Sequence, residues 1–182
     1  MQMEHIAIYG AAFDPPHLGH MDVVQQLLQQ FDAVWLIPSA KHAFGKQMSD
    51  YQLRLKMLEI ITTEQISERD RIVISTLEQD LLEIAPNQKA IFSFDLLNEV
   101  QKRQPQSHIS LVVGPDNAKP DVWKKFYRHQ DIERDFNLIV AEERLPIRST
   151  DCRKLLRTTN DDLSHFTGAG LAGWLRKNNL YI

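Results

Sequence analysis

The sequence predicts an α/β fold with a doubly wound parallel sheet, and three observations lead to it. Residues 6–9 and 33–37 are short apolar runs of the kind that form strands buried on both faces. Between them, residues 21–31 carry apolar side chains at helical spacing. A strand, a helix and a strand within this distance predict a parallel βαβ unit with a right-handed crossover. In such sheets, ligands bind beyond the carboxyl ends of the strands.

Composition limits the classes of function. The 182 residues, 43% of them hydrophobic, are enough for one core, and we expect a single domain over residues 1–182. A net charge of −3 excludes a broadly basic surface, so we expect no nucleic-acid partner, and anionic ligands would need a local cluster of cations. No apolar run approaches the length of a membrane span, and we expect no membrane partner. Cys152 is the only cysteine, which excludes a disulfide framework and fits a cytoplasmic location. The oligomeric state stays open.

Chemistry concentrates directly after the first strand, in residues 10–20 (GAAFDPPHLGH). Residues 10–12 carry almost no side-chain bulk, so a ligand can approach the backbone closely at the predicted turn. His17 and His20 are three residues apart, so on a first helical turn both rings point to one side, and Gly19 leaves room between them. Unpaired amides at a helix start favour anions, and a phosphate is the expected occupant. By themselves, the two histidines could equally be half of a metal site or ordinary surface residues.

The remaining elements follow from the same two hydrophobic periodicities and from the positions of Pro, Gly and capping residues. They are, in order, a loop over residues 38–48, a helix beginning at Ser49 or Asp50, a strand over 71–77, a short helix within 78–89, a helix over 92–100, a loop over 101–107, strands over 109–113 and 137–141, a helix beginning at Ser149 or Thr150, and short helices over 161–166 and 170–178.

Two further polar clusters follow strands. The strand over 109–113 ends in Gly-Pro-Asp-Asn, which places Gly114 and Asp116 at the same sheet edge as the first cluster, although Pro-Asp-Asn is also ordinary turn chemistry. In the second, a Ser-Thr-Asp start predicts a capped helix, and Arg153 can reach an anion lying over that start. Arg148, just before it, either adds a cation to a phosphate site or points to water.

Residues 10–20 resemble the G-x-F-D-P-x-H-x-G-H signature of the small HxGH nucleotidyltransferases. These include the nicotinate and nicotinamide mononucleotide adenylyltransferases and phosphopantetheine adenylyltransferase. Residues 147–153 resemble the Ile-Ser-Ser-Thr-x-Ile-Arg motif that holds the ATP triphosphate in these enzymes. Departures are Ala11 and Ala12, where members often carry Gly and Thr or Ser, together with Arg148 and Cys152. The resemblance extends over residues 6–181 and implies a Rossmann-like nucleotidyltransferase fold.

The resemblance also implies an activity and a site. AMP would pass from ATP to nicotinate or nicotinamide mononucleotide, with His17 and His20 as the catalytic residues and Mg²⁺ carried by the ATP phosphates rather than by protein ligands. The residues implied to bind ATP are Gly10, Ala11, Phe13, Gly19, Gly114, Asp116, Ser149, Thr150 and Arg153. Those implied to bind the mononucleotide are Asp14, Lys46, Arg54 and Trp123, with Lys41 as an alternative to Lys46.

Several alternatives stay open at this point. Trp123 either stacks on the pyridine ring or packs in the core against Phe126. Phosphopantetheine adenylyltransferase and the cytidylyltransferases use much the same two motifs, and a non-catalytic nucleotide sensor is a further possibility. Trp123 after Gly-Pro-Asp-Asn and the Leu-Tyr ending favour a pyridine substrate. The residues themselves do not distinguish nicotinate from nicotinamide, and the resemblance alone makes a nicotinate-nucleotide adenylyltransferase the first expectation.

Overall fold

Five parallel strands form the sheet on which the helices pack. The computed structural model describes residues 3–41, 45, 47–158 and 162–181. The strands are β1 (His5–Ala11), β2 (Ala33–Pro38), β3 (Ile72–Ile74), β4 (His108–Val113) and β5 (Asn137–Val140). The helices are α1 (Leu18–Leu28), α2 (Tyr51–Gln65), α3 (Leu77–Ile84), α4 (Ser93–Arg103), α5 (Pro115–Ala118), α6 (Pro120–Trp123), α7 (His129–Asp135), α8 (Ser149–Arg157), α9 (Ser164–Thr167) and α10 (Ala169–Lys177), with a 3-10 turn at Arg69–Arg71.

The sheet order β3-β2-β1-β4-β5 with helices on both faces confirms the doubly wound α/β prediction. Successive side chains of a strand point to opposite faces, and in β1 Ala7 packs on one side while Ile6 and Ile8 pack on the other. The Ala7 side is covered by α1, α2 and α8 to α10, and the opposite side by α3, α4, α6 and α7. Both faces of the central strands are therefore buried under helices, as the apolar runs of residues 6–9 and 33–37 predicted.

The central pair β1 and β4 determines where the site lies. Tyr9 of β1 is in register with Val112 of β4, so the two strands finish side by side. The loops that follow them leave the same edge of the sheet, and the chain reverses its winding direction between these strands. This is the topological switch point at which open α/β sheets bind ligands.

Several predicted boundaries were wrong at this edge. β1 continues to Ala11, so Gly10 and Ala11 are strand residues paired with Ile37 and Pro38 rather than part of a turn. Helix α1 begins at Leu18, which leaves His17 as its extended N-cap residue instead of a first-turn residue.

Other boundaries also differ from the prediction. The N-cap of α8 is Arg148, and neither hydroxyl that follows it caps the helix. β3 has only three residues, and Leu77 begins α3 because it packs with the apolar face of that helix. The predicted turn after β4 is the short helix α5. Helices α6 and α7 had no counterpart in the prediction. Within the described ranges, no helix is both long enough and apolar enough to cross a membrane.

Candidate active site

His17 and His20 form a stacked pair at the mouth of α1. Their ring centroids lie 3.7 Å apart, with 28° between the ring planes. The backbone N–H of His17 donates to Nδ1 of His20 at 3.2 Å, so a neutral His20 carries its proton on Nε2. Phe13, buried in the core, meets the His20 ring edge-on with centroids 4.9 Å apart. The pair is thus oriented by neighbours, with one defined N–H donor on His20.

Both imidazoles are neutral near pH 7 in the ligand-free protein. Burial and, to a smaller extent, the positive charge of Arg148 lower the pKa of His17 from 6.5 to about 4. Burial, then His17 and then Arg148 hold the pKa of His20 well below 6.5. Neutral imidazoles can donate one hydrogen bond each without adding charge to the site.

We expect the protein to lose stability on acidification because of His17. Between about pH 6.5 and 4 the unfolded chain binds a proton that the folded His17 does not, so the free energy of unfolding falls as the pH falls. Near pH 5 the expected loss from this residue is about 2 kcal/mol relative to neutral pH. Denaturant unfolding of wild type and His17→Asn at both pH values measures it. Glu78, whose pKa burial raises to about 7, acts in the opposite direction but is common to both proteins. Equal pH dependence in the two proteins would contradict the expectation.

Gly19 lies close to the imidazole ring of His17. A Cβ atom added there would sit 3.0 Å from Nδ1 of His17, 3.1 Å from its Cε1 and 3.2 Å from the carbonyl oxygen of Leu145. The backbone atom cannot yield easily, because a bidentate pair between Arg144 and Asp22 of α1 (2.7 and 3.0 Å) ties that segment down. A side chain at position 19 therefore displaces the His17 ring.

The substitution Gly19→Ala is expected to reduce turnover about 10- to 100-fold with the fold retained, because a ring shifted by a few tenths of an ångström misaligns the reacting groups. Steady-state kinetics and thermal unfolding measure the two effects. The matched control is Gly173→Ala in α10, where an added Cβ meets nothing within 4 Å. That variant should keep full activity and gain up to about 1 kcal/mol from helix propensity. Normal turnover in Gly19→Ala would show that the ring position is not critical.

The start of α8 is joined directly to the loop that carries the histidines. Ser149 Oγ donates to the carbonyl oxygen of Pro15 at 2.8 Å, and Arg153 Nη1 donates to the carbonyl oxygen of Asp14 at 2.5 Å. Arg153 Nη2 also donates to Thr150 Oγ1 at 3.1 Å. The two motifs, more than a hundred residues apart in the chain, therefore lie side by side, and we call the surface between them the candidate cleft.

These hydrogen bonds give Ser149 a different role from that of Thr150 and Arg153. The Ser149 hydroxyl proton is used on the loop, so this side chain holds the two motifs together. Thr150 accepts a hydrogen bond from Arg153 and keeps its own proton for a further acceptor. Thr150 and Arg153 are thus the better placed donors toward an anion.

The Asp14 carboxylate is the centre of a buried network. It accepts hydrogen bonds from the Ser49 N–H at 3.2 Å, from Ser49 Oγ, and from the Tyr181 hydroxyl at 2.5 Å. Tyr181 was not among the predicted site residues; the Leu-Tyr ending pointed to the family, but the contact with Asp14, 167 positions away, was not predicted. Its contact fixes the start of the histidine loop from the end of the described chain.

In the ligand-free protein, the Arg54 side chain is buried and hydrogen-bonded to the backbone rather than exposed to solvent. Its side chain is 1% exposed, and it donates to the carbonyl oxygens of Ala12 (2.8 Å), Ser39 (2.8 Å) and Ser49 (3.1 Å). It thereby holds together the three segments around Asp14. Its contact with a mononucleotide stays a prediction.

Beside Arg54 lies a cavity of about 320 Å³. Lys41 and Lys89 line it, together with Tyr51, whose buried hydroxyl has no partner within the described chain. Lys46, the first choice for a phosphate contact, lies outside the described residues. Lys41, the alternative to Lys46, lines this cavity.

Trp123 packs in the core on the face of the sheet that carries Ile6 and Ile8. It is 6% exposed, its Nε1–H donates to Glu133 Oε1 at 2.6 Å, and its ring lies 4.8 Å from that of Phe126. This arrangement corresponds to the core-packing alternative. Stacking on a pyridine ring stays a prediction that would require the side chain to leave this position.

Gly114 and Asp116 lie at the start of α5, at the carboxyl end of β4. Asp116 is exposed and pairs with Lys119 at 2.7 Å and with Arg148 at 3.7 Å. Arg148 in turn forms a two-pronged pair with Glu143, both contacts at 2.8 Å. Arg148 therefore does not simply point to water.

The donors of this cleft are imidazole, hydroxyl and guanidinium groups, which suit phosphate oxygens. Over the described part of the chain, no group of three or more His, Cys, Asp or Glu side chains is arranged to hold a metal ion.

Comparison with known proteins gives consistent matches. The sequence profile of the cytidylyltransferase-like family matches residues 8–155. A probable nicotinate-nucleotide adenylyltransferase from Myxococcus xanthus is 30% identical over 132 residues, covering 71% of this chain and 65% of the relative. One from Bacillus cereus strain AH187 is 27% identical over 118 residues, covering 63% of this chain and 57% of the relative. The chain thus spans less than two thirds of the length of these two curated relatives.

Solved structures match over nearly the whole chain. A Vibrio parahaemolyticus protein, provisionally named a nicotinate-nucleotide adenylyltransferase, superimposes with a TM-score of 0.82 at 31% identity, over 98% of this chain and 96% of that one. The Plasmodium falciparum nicotinic acid mononucleotide adenylyltransferase, solved with NaAD, gives a TM-score of 0.72 at 20% identity, over 98% of this chain and 97% of that one. The second match concerns the fold alone.

Proposed function

Because the chain belongs to the cytidylyltransferase-like family, we propose that it transfers AMP from ATP to nicotinate or nicotinamide mononucleotide, releasing pyrophosphate. Relatives named nicotinate-nucleotide adenylyltransferase support this choice within the family. The observation that carries the proposal is the direct hydrogen bonding of Ser149 and Arg153 to the loop that bears the two histidines. It makes one cleft of two motifs that each suit phosphate.

The reaction needs alignment more than acid–base chemistry. The attacking group is a phosphate oxygen that is already ionised, so no side chain has to remove a proton. The new bond joins that oxygen to the α-phosphorus of ATP, and the bond from the α-phosphorus to the bridging oxygen breaks. Such a transfer is governed by positioning and by stabilisation of the charge on the phosphorus in transit.

The proposed roles follow from which donors are free. His20 presents Nε2–H to an α-phosphate oxygen, because its Nδ1 is occupied by the His17 backbone. His17 stacks beside it and donates to the same group. Thr150 and Arg153 hold the β- and γ-phosphates and neutralise the charge of the departing pyrophosphate. Mg²⁺ enters as part of the ATP substrate, carried by its phosphates.

The acceptor would occupy the cavity beside Arg54. Lys41 and Lys89 give this cavity cationic walls suited to a phosphate monoester. The pyridine group would then extend from the cavity, where one or two contacts choose between carboxylate and amide. A cytoplasmic location, expected from the single cysteine, stays part of the proposal.

The test incubates the protein with Mg²⁺, one nucleotide and one acceptor, and measures pyrophosphate release. The acceptors are nicotinate mononucleotide, nicotinamide mononucleotide and phosphopantetheine, with a reaction lacking acceptor as the blank. CTP replaces ATP in a parallel series. Release that requires ATP and a pyridine mononucleotide supports the proposal. Release only with phosphopantetheine would assign a phosphopantetheine adenylyltransferase, and release only with CTP a cytidylyltransferase. No release with any pair would favour a non-catalytic nucleotide sensor.

A further inference from the structure

Arg148 is held in place by two acidic residues, Glu143 of its own loop and Asp116 of α5. Both of its terminal nitrogens bond the two carboxylate oxygens of Glu143 at 2.8 Å, and Nη2 lies 3.7 Å from Asp116. A guanidinium held by such a fork keeps a fixed orientation, unlike a free surface arginine. The side chain is about half exposed (51%), so it faces solvent on its other side.

The charge of Arg148 acts on the histidine pair. Arg148 directly precedes Ser149, whose Oγ donates to the carbonyl oxygen of Pro15 in the histidine loop at 2.8 Å, so it lies next to that loop. After burial, its positive charge helps to lower the pKa of His17 and of His20. In the ligand-free protein this charge is balanced by Glu143. An anion bound at the rings would therefore meet a cation that is already positioned.

The site also has unused hydrogen-bonding capacity. A guanidinium has five N–H donors, and the fork to Glu143 engages only part of them. Nδ1 of His17 is buried, in a residue 6% exposed, and has no hydrogen-bond partner within the described chain. Buried polar atoms without partners are uncommon and call for an explanation, of which a catalytic role is one.

Relying on the proposed function, we infer that Arg148 is a further phosphate-binding residue of this chain. Its guanidinium, held by Glu143, donates to the polyphosphate of the nucleoside triphosphate beside the histidine pair. The family motif commonly has a serine at this position, so the extra cation is a feature of this sequence rather than of the motif. The competing interpretation is a contact with the adenosine portion, since Asp116 lies close by.

Calorimetric binding without acceptor tests the inference. ATP, in the presence of Mg²⁺, and adenosine are each titrated into wild type, Arg148→Ser and Arg148→Lys. We expect Arg148→Ser to weaken ATP binding about tenfold or more, as for loss of a charge-assisted hydrogen bond, and to leave adenosine binding unchanged. Arg148→Lys should recover part of the ATP affinity. The matched control is Lys154→Ser, which removes the same charge from an exposed position further along α8 and should change neither affinity.

Each outcome decides the matter. Equal ATP affinity in wild type and Arg148→Ser overturns the inference, and so does an equal loss for adenosine or an equal loss in the Lys154 control. Thermal unfolding of each variant verifies that it is folded. AMP transfer is assayed separately with acceptor present. ATP binding that depends on Arg148, without any AMP transfer by wild type, would overturn the proposed function and leave this inference standing.

Discussion

Replacing His20 with alanine should lower kcat for AMP transfer by about 100-fold or more, with the fold retained. The His20 ring is oriented on three sides: the His17 backbone bonds its Nδ1, the His17 ring stacks on it, and Phe13 meets its edge. Its Nε2–H is consequently a donor of defined orientation, and we propose that it faces the transferred phosphoryl group. A donor fixed before the reaction stabilises the transition state without reorganisation.

Two variants separate the donor from the packing. His20→Asn can keep an acceptor for the His17 N–H but loses the distal donor, and it should be as impaired as His20→Ala. His20→Gln can place an amide donor near the Nε2 position and should recover part of the rate. Single-turnover kinetics with saturating ATP and acceptor measure the chemical step. The control is His165→Ala, a surface histidine paired with Asp162, which should be fully active. A near-normal rate in His20→Asn would refute the proposed role.

The second large effect is expected at Arg153. Arg153→Ala should reduce kcat/KM for ATP by about 100-fold, since it removes a cation for the leaving pyrophosphate and a bond to the loop. The side chain currently joins the Asp14 carbonyl oxygen to Thr150 Oγ1. Without it, the histidine loop loses one of its two direct bonds to α8, the other being that of Ser149.

Arg153→Lys tests which of these losses matters more. Lysine retains the charge but cannot hold the loop carbonyl and Thr150 with a planar fork. If charge dominates, the lysine variant recovers most of the ATP affinity; if the bond to the loop dominates, kcat stays low while KM for ATP recovers. The neighbouring Lys154→Ala, which breaks only an exposed pair with Asp151, is the control. Unchanged kcat/KM in Arg153→Ala would exclude this residue from the phosphate site.

The strands and the main helices could be predicted because burial of these elements requires apolar residues at regular spacing along a short stretch of sequence. The run that became β2 is continuously apolar, the run that became β4 is apolar except for Ser110, and the ends of both were predicted to within one residue. Helices α6 and α7 were not predicted, because they are short and depend on packing by single residues such as Trp123 and Ile132. The His-x-x-His spacing gave the pairing of the rings, although His17 turned out to precede the helix.

The role of a side chain whose partner is distant in the chain could not be predicted from local sequence patterns. From the sequence, Trp123 was left open between a ligand contact and core packing, and Arg54 was expected to contact a ligand. Their burial against backbone carbonyls and against Glu133 became visible only in three dimensions. The same holds for Tyr181, whose hydroxyl meets Asp14 from the other end of the chain.

Local patterns of apolar residues and one dense motif were thus sufficient to predict the sheet and the family. The division of the site residues into open donors and structural ties came from tertiary contacts alone. The physical reason is that a side chain of given chemistry binds whatever acceptor lies nearest. For Ser149 and Arg54 that acceptor is a backbone carbonyl, brought close by the folding of segments far apart in the chain.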